Sequence, residues 1–331
     1  MAIFPLDIRQ VLGIRWRCST HDSLVLGIGA GVTAAIGSGI ANTLVHRTSV
    51  GFPVAEIIFV RALVGTGIAL PIIYTRLSSL VRVRAASVWV VASAGAVSIL
   101  CFAWNIANAS MGLANILFSA FLMFVLVSGA FAKEIRVTRS LLYEFFLISS
   151  GVAIFYFAGD GTLTILVAAI GLMGAVAAAI AYTALKKATT ISDPWLINWA
   201  ICATTLAISV LQVNQGWSVP TGFDWLLLAS IGIVSFSSQS LAIVSFTYLP
   251  LTLASALAPS AIVWSIAVDA ISGGGSITIQ GFAGATIYTL GICLLAARSA
   301  VDSKKDDRGM FVGEAAKNKS GFTIREYPGH A

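Results

Sequence analysis

The chain has 331 residues, of which 58% are hydrophobic and only 10% charged, and its mean hydropathy is +0.92. An ordinary soluble domain has about a quarter of its residues charged, and a chain this poor in polar side chains cannot cover a soluble globule of its size. Composition therefore excludes a soluble fold and makes lipid the solvent for most of the chain. The net charge of +6 implies mild attraction to anionic headgroups and no nucleic-acid partner.

Residues 1–23 mix Ile3, Phe4, Leu6, Ile8, Val11, Leu12, Ile14 and Trp16 with Arg9, Arg15 and Arg17. Two readings stand: a helix lying on the inner membrane surface, or a frayed basic terminus. No small-residue cleavage site follows a short apolar core, so a signal peptide is not expected. Beyond this stretch, ten apolar segments approach the ~20 residues needed to cross a bilayer core. They fall near 24–45, 54–74, 87–108, 113–132, 140–158, 163–185, 195–213, 225–247, 251–271 and 280–297. None alternates apolar with polar residues as a β-barrel strand does. The fold class expected is an all-α polytopic membrane protein with ten transmembrane helices. From 298 to 331 the chain turns polar and reads as a disordered cytoplasmic tail.

Cytoplasmic loops collect Lys and Arg. With the N-terminus inside, 18 of the 20 basic residues fall on inner segments, leaving Arg47 outside and Arg61 within a span. The outer loops 109–112, 159–162, 214–224 and 272–279 hold no Lys or Arg. Both termini are therefore placed in the cytoplasm, in a bacterial-type inner (cell) membrane. Cys101, Cys202 and Cys293 lie in apolar segments, where a thiol acts as a small hydrophobe, and Cys18 lies on the inner side; no disulfide framework is expected.

The phrase LANILFSA at 113–120 returns as LASALAPS at 253–260. The same offset of 140 places Gly31 on Gly171, Ala41 on Ala181, Thr43 on Thr183 and Gly151 on Gly291. Such self-similarity points to duplication. Five spans per half is an odd number, so the second half inserts upside down. The expected units are a first five-helix repeat over 24–158 and a second, inverted one over 163–297. Inverted repeats around a midplane site are a recurring plan of secondary transporters.

Five plus five spans, the run EIIFVRALVG at 56–65, and FAKEIRVTRSLLYEFFLISSGVAIFYF at 131–157 resemble the drug/metabolite transporter superfamily, in particular its EamA-like members. FTYLPLTLASALAPSAIVW at 246–264 and QGFAGATIYTLGICLLA at 280–296 are similar to that family's last two spans. The chain departs from the pattern at Ser119, where the family commonly has proline, and at Gly274, where it usually has an acidic residue. The resemblance implies a central cavity walled by the first four spans of each half, with the fifth and tenth peripheral. It also implies a substrate among amino acids, amines, carboxylates, nucleotide-like metabolites and vitamins.

Polar side chains at membrane depth tend to face a bundle interior or a water-filled path. Arg61 lies roughly 12 Å down the second span. It is read either as a holder of a substrate carboxylate or phosphate or as a structural cation. Glu56, five residues away, is not on its face. Asn42, Asn105, Asn108, Asn115 and Asn198 either bind substrate or bond helix to helix, and Ser235 and Gln239, on one face of the eighth span, carry the same two readings. Trp104, Tyr182 and Trp264 are candidates for stacking on a planar solute, with Trp199 and Tyr288. Pro259 frees the carbonyl of Ser255, which is tolerated beside a cavity, so the ninth span is expected to line the path. GIGAGVTA at 27–34 imitates a dinucleotide fingerprint but has no preceding strand; Gly27, Gly31, Ala35 and Gly39 read as helix packing.

His21, His46 and His330 are the chain's histidines, none within a span, and no metalloprotease motif or paired carboxylate appears. No catalysis, cofactor or metal site is expected. The expected function is secondary transport of a small metabolite by alternating access, and the alternative is a non-transporting sensor or scaffold on the same fold. Expected partners are a small-molecule substrate, membrane lipid and a second copy of the chain.

Overall fold

The computed structural model describes residues 20–74, 86–109, 111–132, 137–156, 164–212, 217–271, 283–284 and 286–298. The expected N-terminal surface helix, the polar tail and most of the basic residues that set the orientation lie outside them. The described residues form helices joined by short turns, with no strand among them. In order they are α1 (Thr20–Thr48), α2 (Val54–Tyr74), α3 (Ala86–Asn108), α4 (Met111–Ser119), α5 (Phe121–Phe131), α6 (Arg139–Tyr156), α7 (Ile165–Ile191), α8 (Pro194–Val210), α9 (Gly222–Tyr248), α10 (Leu251–Leu257), α11 (Ser260–Ile271) and α12 (Thr286–Arg298).

Six helical stretches are long and apolar enough to cross a membrane: Ser23–Thr48, Val54–Tyr74, Ala86–Asn108, Leu113–Phe131, Ile165–Ile191 and Gly222–Tyr248. The chain is thus a multi-pass α-helical membrane protein. α8 and α12 are shorter apolar helices, and the expected ninth span is divided into α10 and α11. The division has a covalent cause, because Pro259 lacks the N–H that would continue the helix. The matching break between α4 and α5 falls at Ala120 with no proline. Ala120 keeps right-handed helical angles, and its carbonyl accepts from Met123 N at 3.1 Å and Phe124 N at 3.4 Å.

Local chemistry sets the helix starts. Asp193 accepts the N–H of Trp195 at 3.0 Å with Pro194 as the first helical residue, a pairing that satisfies one free donor and needs no other. Thr164 accepts from Val167 at 3.2 Å. Asp224 reaches back to the N–H of Thr221 at 2.9 Å, closing a capping box.

The packing falls into corresponding sets. α3 lies along α7, and α9 lies along α1; α5 packs on α7, and α11 on α1; α3 meets α8, and α9 meets α2; α2 and α8 meet each other. Small residues set the close approaches. A Cβ on Gly31 would lie 2.8 Å from Leu257 and 2.9 Å from Ser245, and one on Gly171 would lie 2.7 Å from Leu117 and 2.6 Å from Asn105. Every member of the first set is 140 residues before or after its counterpart in the second. Gly151 against Tyr288 and Gly291 against Ile148 obey the same offset. At the margin, α6 and α12 pack through those two glycines, and Arg298 reaches Glu144 at 3.5 Å.

Candidate functional site

A cavity of about 210 Å³ lies inside the bundle, lined from α1, α2, α3, α4, α7, α8, α9, α10, α11 and the turn at Pro259. It is smaller than the ~300–1,000 Å³ pockets that hold drug-sized ligands, so it suits a small solute. Small residues open it: Gly31, Ala34, Ala35 and Ser38 on α1, and Gly95 and Ser98 on α3. Its lining positions recur at the 140-residue offset. Asn42 and Tyr182, Val45 and Leu185, Arg61 and Ile201, Gly95 and Ser235, Ser98 and Ser238, Ile106 and Phe246 all face it. The wall is therefore matched in position but not in chemistry. Arg61 has Ile201 as its counterpart.

One wall is aromatic. Phe102 meets Phe118 at 4.6 Å between ring centroids, Phe118 meets Phe121 at 5.3 Å, Phe121 meets Tyr182 at 5.2 Å and Tyr182 stacks on Phe246 at 5.1 Å. Spacings of 4.5–7 Å with tilted or offset rings are the favourable arrangements. All but Phe121 line the cavity.

Seven of the candidates read from the sequence line this space: Asn42, Arg61, Asn115, Tyr182, Ser235, Gln239 and Pro259. Asn42, Arg61, Ser235 and Gln239 have no side-chain hydrogen bond or ion pair among the described residues. Polar groups without a partner are costly in an apolar bundle, which sets these four apart from polar groups that serve as glue. Asn198 shows the contrast: it is fully buried, and its Nδ2 donates to the Phe236 carbonyl at 3.1 Å and to Ser240 Oγ at 2.7 Å. It bonds α8 to α9.

The remaining candidates sit elsewhere. Asn105 is buried against Gly171 at the α3–α7 contact, and Trp264, 37% exposed, covers Gly39 at the α1–α11 contact. Trp104 and Asn108 line a separate groove of about 690 Å³ at the ends of α1, α2 and α3. That groove is larger, but its wall is mainly apolar, and the Asn108 amide already donates to the Trp104 carbonyl at 2.8 Å. We therefore place the candidate site in the smaller, polar-lined cavity.

The sequence reading passed over Ser38, Ser98, Phe102, Phe118, Ser238, Ser245 and Phe246, which also line it. Helical spacing carries a signal for some of them. Ser235, Gln239, Ala242 and Phe246 fall on one face of α9, and Val91, Gly95, Ser98 and Phe102 on one face of α3. Among the described residues no three His, Cys, Asp or Glu side chains gather; the cavity offers amides, hydroxyls and one guanidinium.

Fold and cavity together define a class: a multi-pass helical membrane protein enclosing a small polar-lined space, the build of a membrane transporter. In sequence, the chain is 25% identical over 219 residues to the pseudopaline exporter CntI of Pseudomonas aeruginosa strain UCBPP-PA14, and equally to that of strain PAO1. The match covers 66% of this chain and 77% of each relative. No protein-family model matches the chain. A solved crystal structure superposes with a TM-score of 0.68, covering 85% of this chain and 99% of the other at 15% identity, a likeness that concerns the fold alone.

Proposed function

We propose that the chain is a secondary exporter of a small metabolite in the cell membrane, working by alternating access between two inverted five-span repeats, on the plan of EamA-like drug/metabolite transporters. In this reading the first repeat comprises α1 to α6 and the second α7 to α12, with α4/α5 and α10/α11 each counted as one broken span. The observation that carries it is the cavity whose lining positions recur 140 residues apart. A space shared by two equivalent units can open to either side as the units rock, which is how inverted-repeat transporters move a solute past a fixed site. The paired helix contacts and the paired glycine contacts support the repeat. The exporter relatives support transport and its outward direction.

The test uses inverted membrane vesicles from an overexpressing strain, incubated with a small-metabolite extract and read by mass spectrometry. A defined subset of metabolites is expected to accumulate above vesicles without the protein. Identical contents in both preparations would reject transport and leave a sensor or scaffold.

A further inference from the structure

We propose that the cavity recognises an acidic group on its solute, and that Arg61 of α2 together with Ser235 and Gln239 of α9 forms the subsite that takes a carboxylate. The inference rests on the same cavity as the transport reading and deepens it by naming the substrate class.

Three observations carry it. Arg61 lines both the cavity and a small void beside it, shared with Cys202, Thr205 and Gln239, and has no carboxylate partner among the described residues. A guanidinium stays charged in proteins, and an unpaired cation within a bundle is costly enough to mark a functional position. The second observation is the company it keeps. Ser235 Oγ is buried without a partner, and Gln239, one turn along the same face of α9, also lines the cavity with its amide unbonded among the described residues. A forked guanidinium, an amide N–H₂ and a hydroxyl are the donors that a planar carboxylate accepts, two of its bonds in parallel from arginine. Third, the matched position across the cavity is Ile201. One end is cationic and the other apolar, so a solute with one acidic end binds in a single orientation. Its body then lies against the rings of Phe102, Phe118, Tyr182 and Phe246. An organic cation or a neutral sugar would leave Arg61 unanswered.

The experiment uses the purified full-length protein in detergent and matched acid/amide probes: nicotinate and nicotinamide, benzoate and benzamide, glutamate and glutamine. Thermal unfolding is followed against probe concentration. The expected result is that at least one acid raises the unfolding temperature while its amide does not, and that Arg61→Gln weakens that acid's binding by roughly tenfold to a hundredfold, the range for a hydrogen-bonded charge. Arg61→Lys, which keeps the charge but loses the fork, falls between. Acid and amide acting alike, or neither acting, on the wild-type protein overturns the inference without recourse to any variant, as does an Arg61→Gln protein that binds the acid as well as wild type does. Acid-selective binding in a protein whose vesicles accumulate nothing would keep the subsite and sink only the transport reading.

Discussion

The two sides of the cavity occupy matched positions yet differ in kind. On one side α2 presents Arg61; at the corresponding place α8 presents Ile201. Elsewhere the correspondence is closer, with Ser98 facing across from Ser238 and Val45 from Leu185. Shape is thus repeated while charge is not. Duplication supplies two interchangeable walls that can rock, and a single unpaired cation turns the space between them into a site with direction. The margin of the bundle differs again. There Glu144 accepts from Ser140 at 3.0 Å and meets Arg298 at 3.5 Å, so its charge is answered within the protein and is left with no solute to bind.

The largest effect is expected where the two sides differ. Arg61→Gln should reduce metabolite accumulation in vesicles by at least about tenfold while the protein still reaches the membrane at wild-type level. Moving the cation to the matched position, with Arg61→Ile and Ile201→Arg together, should recover acid binding above that of Arg61→Ile alone. A folded double variant that binds no acid would break the comparison, because the positions would then be matched in number only.

A smaller effect separates the matched glycines at the margin. A Cβ on Gly151 would lie 2.5 Å from Tyr288 N and 2.8 Å from its Cα, which are backbone atoms that cannot turn aside. A Cβ on Gly291 would meet first the Ile148 side chain, at 2.7 Å. Gly151→Ala should therefore destabilise by the ~1–3 kcal/mol of an overpacked contact, and Gly291→Ala by less, as read from thermal unfolding of the purified protein. Equal losses would show that the α6–α12 seam yields evenly.

The smallest effect belongs to the marginal ion pair. Arg298 is 28% exposed, and removing a partly solvated pair of this kind costs about 1 kcal/mol or less. Arg298→Gln should leave accumulation unchanged and shift unfolding only slightly. A loss of transport here would bring α6 and α12 into the mechanism.

The class of fold was legible in the sequence because lipid imposes a composition that nothing else does. The repeat was legible at Gly31, Gly171, Gly151 and Gly291, since a close helix contact admits no other residue and so leaves the same letter in both halves. The break at Ala120 was not, because it has no proline or glycine to mark it. Arg61 stood out on cost alone: a charge amid Phe59, Val60, Ala62 and Leu63 needs a reason. The asparagines could not be sorted in the same way. Asn42 and Asn198 look alike as letters, and only the placement of Phe236 O and Ser240 Oγ beside Asn198 tells the glue from the lining residue. The serines of the cavity were passed over because serine is cheap in a membrane helix, where its hydroxyl bonds back to the preceding turn, as Ser238 does to the Ser235 carbonyl at 3.0 Å.

The most direct measurement is a chemical block of the cavity. Ser235→Cys is treated with a small membrane-permeant thiol reagent, and metabolite accumulation is compared with the parent chain treated alike. The account predicts that modification abolishes accumulation in the variant and that prior loading with the accumulated metabolite protects it. Full accumulation by a fully modified variant would contradict the placement of the solute site in this cavity.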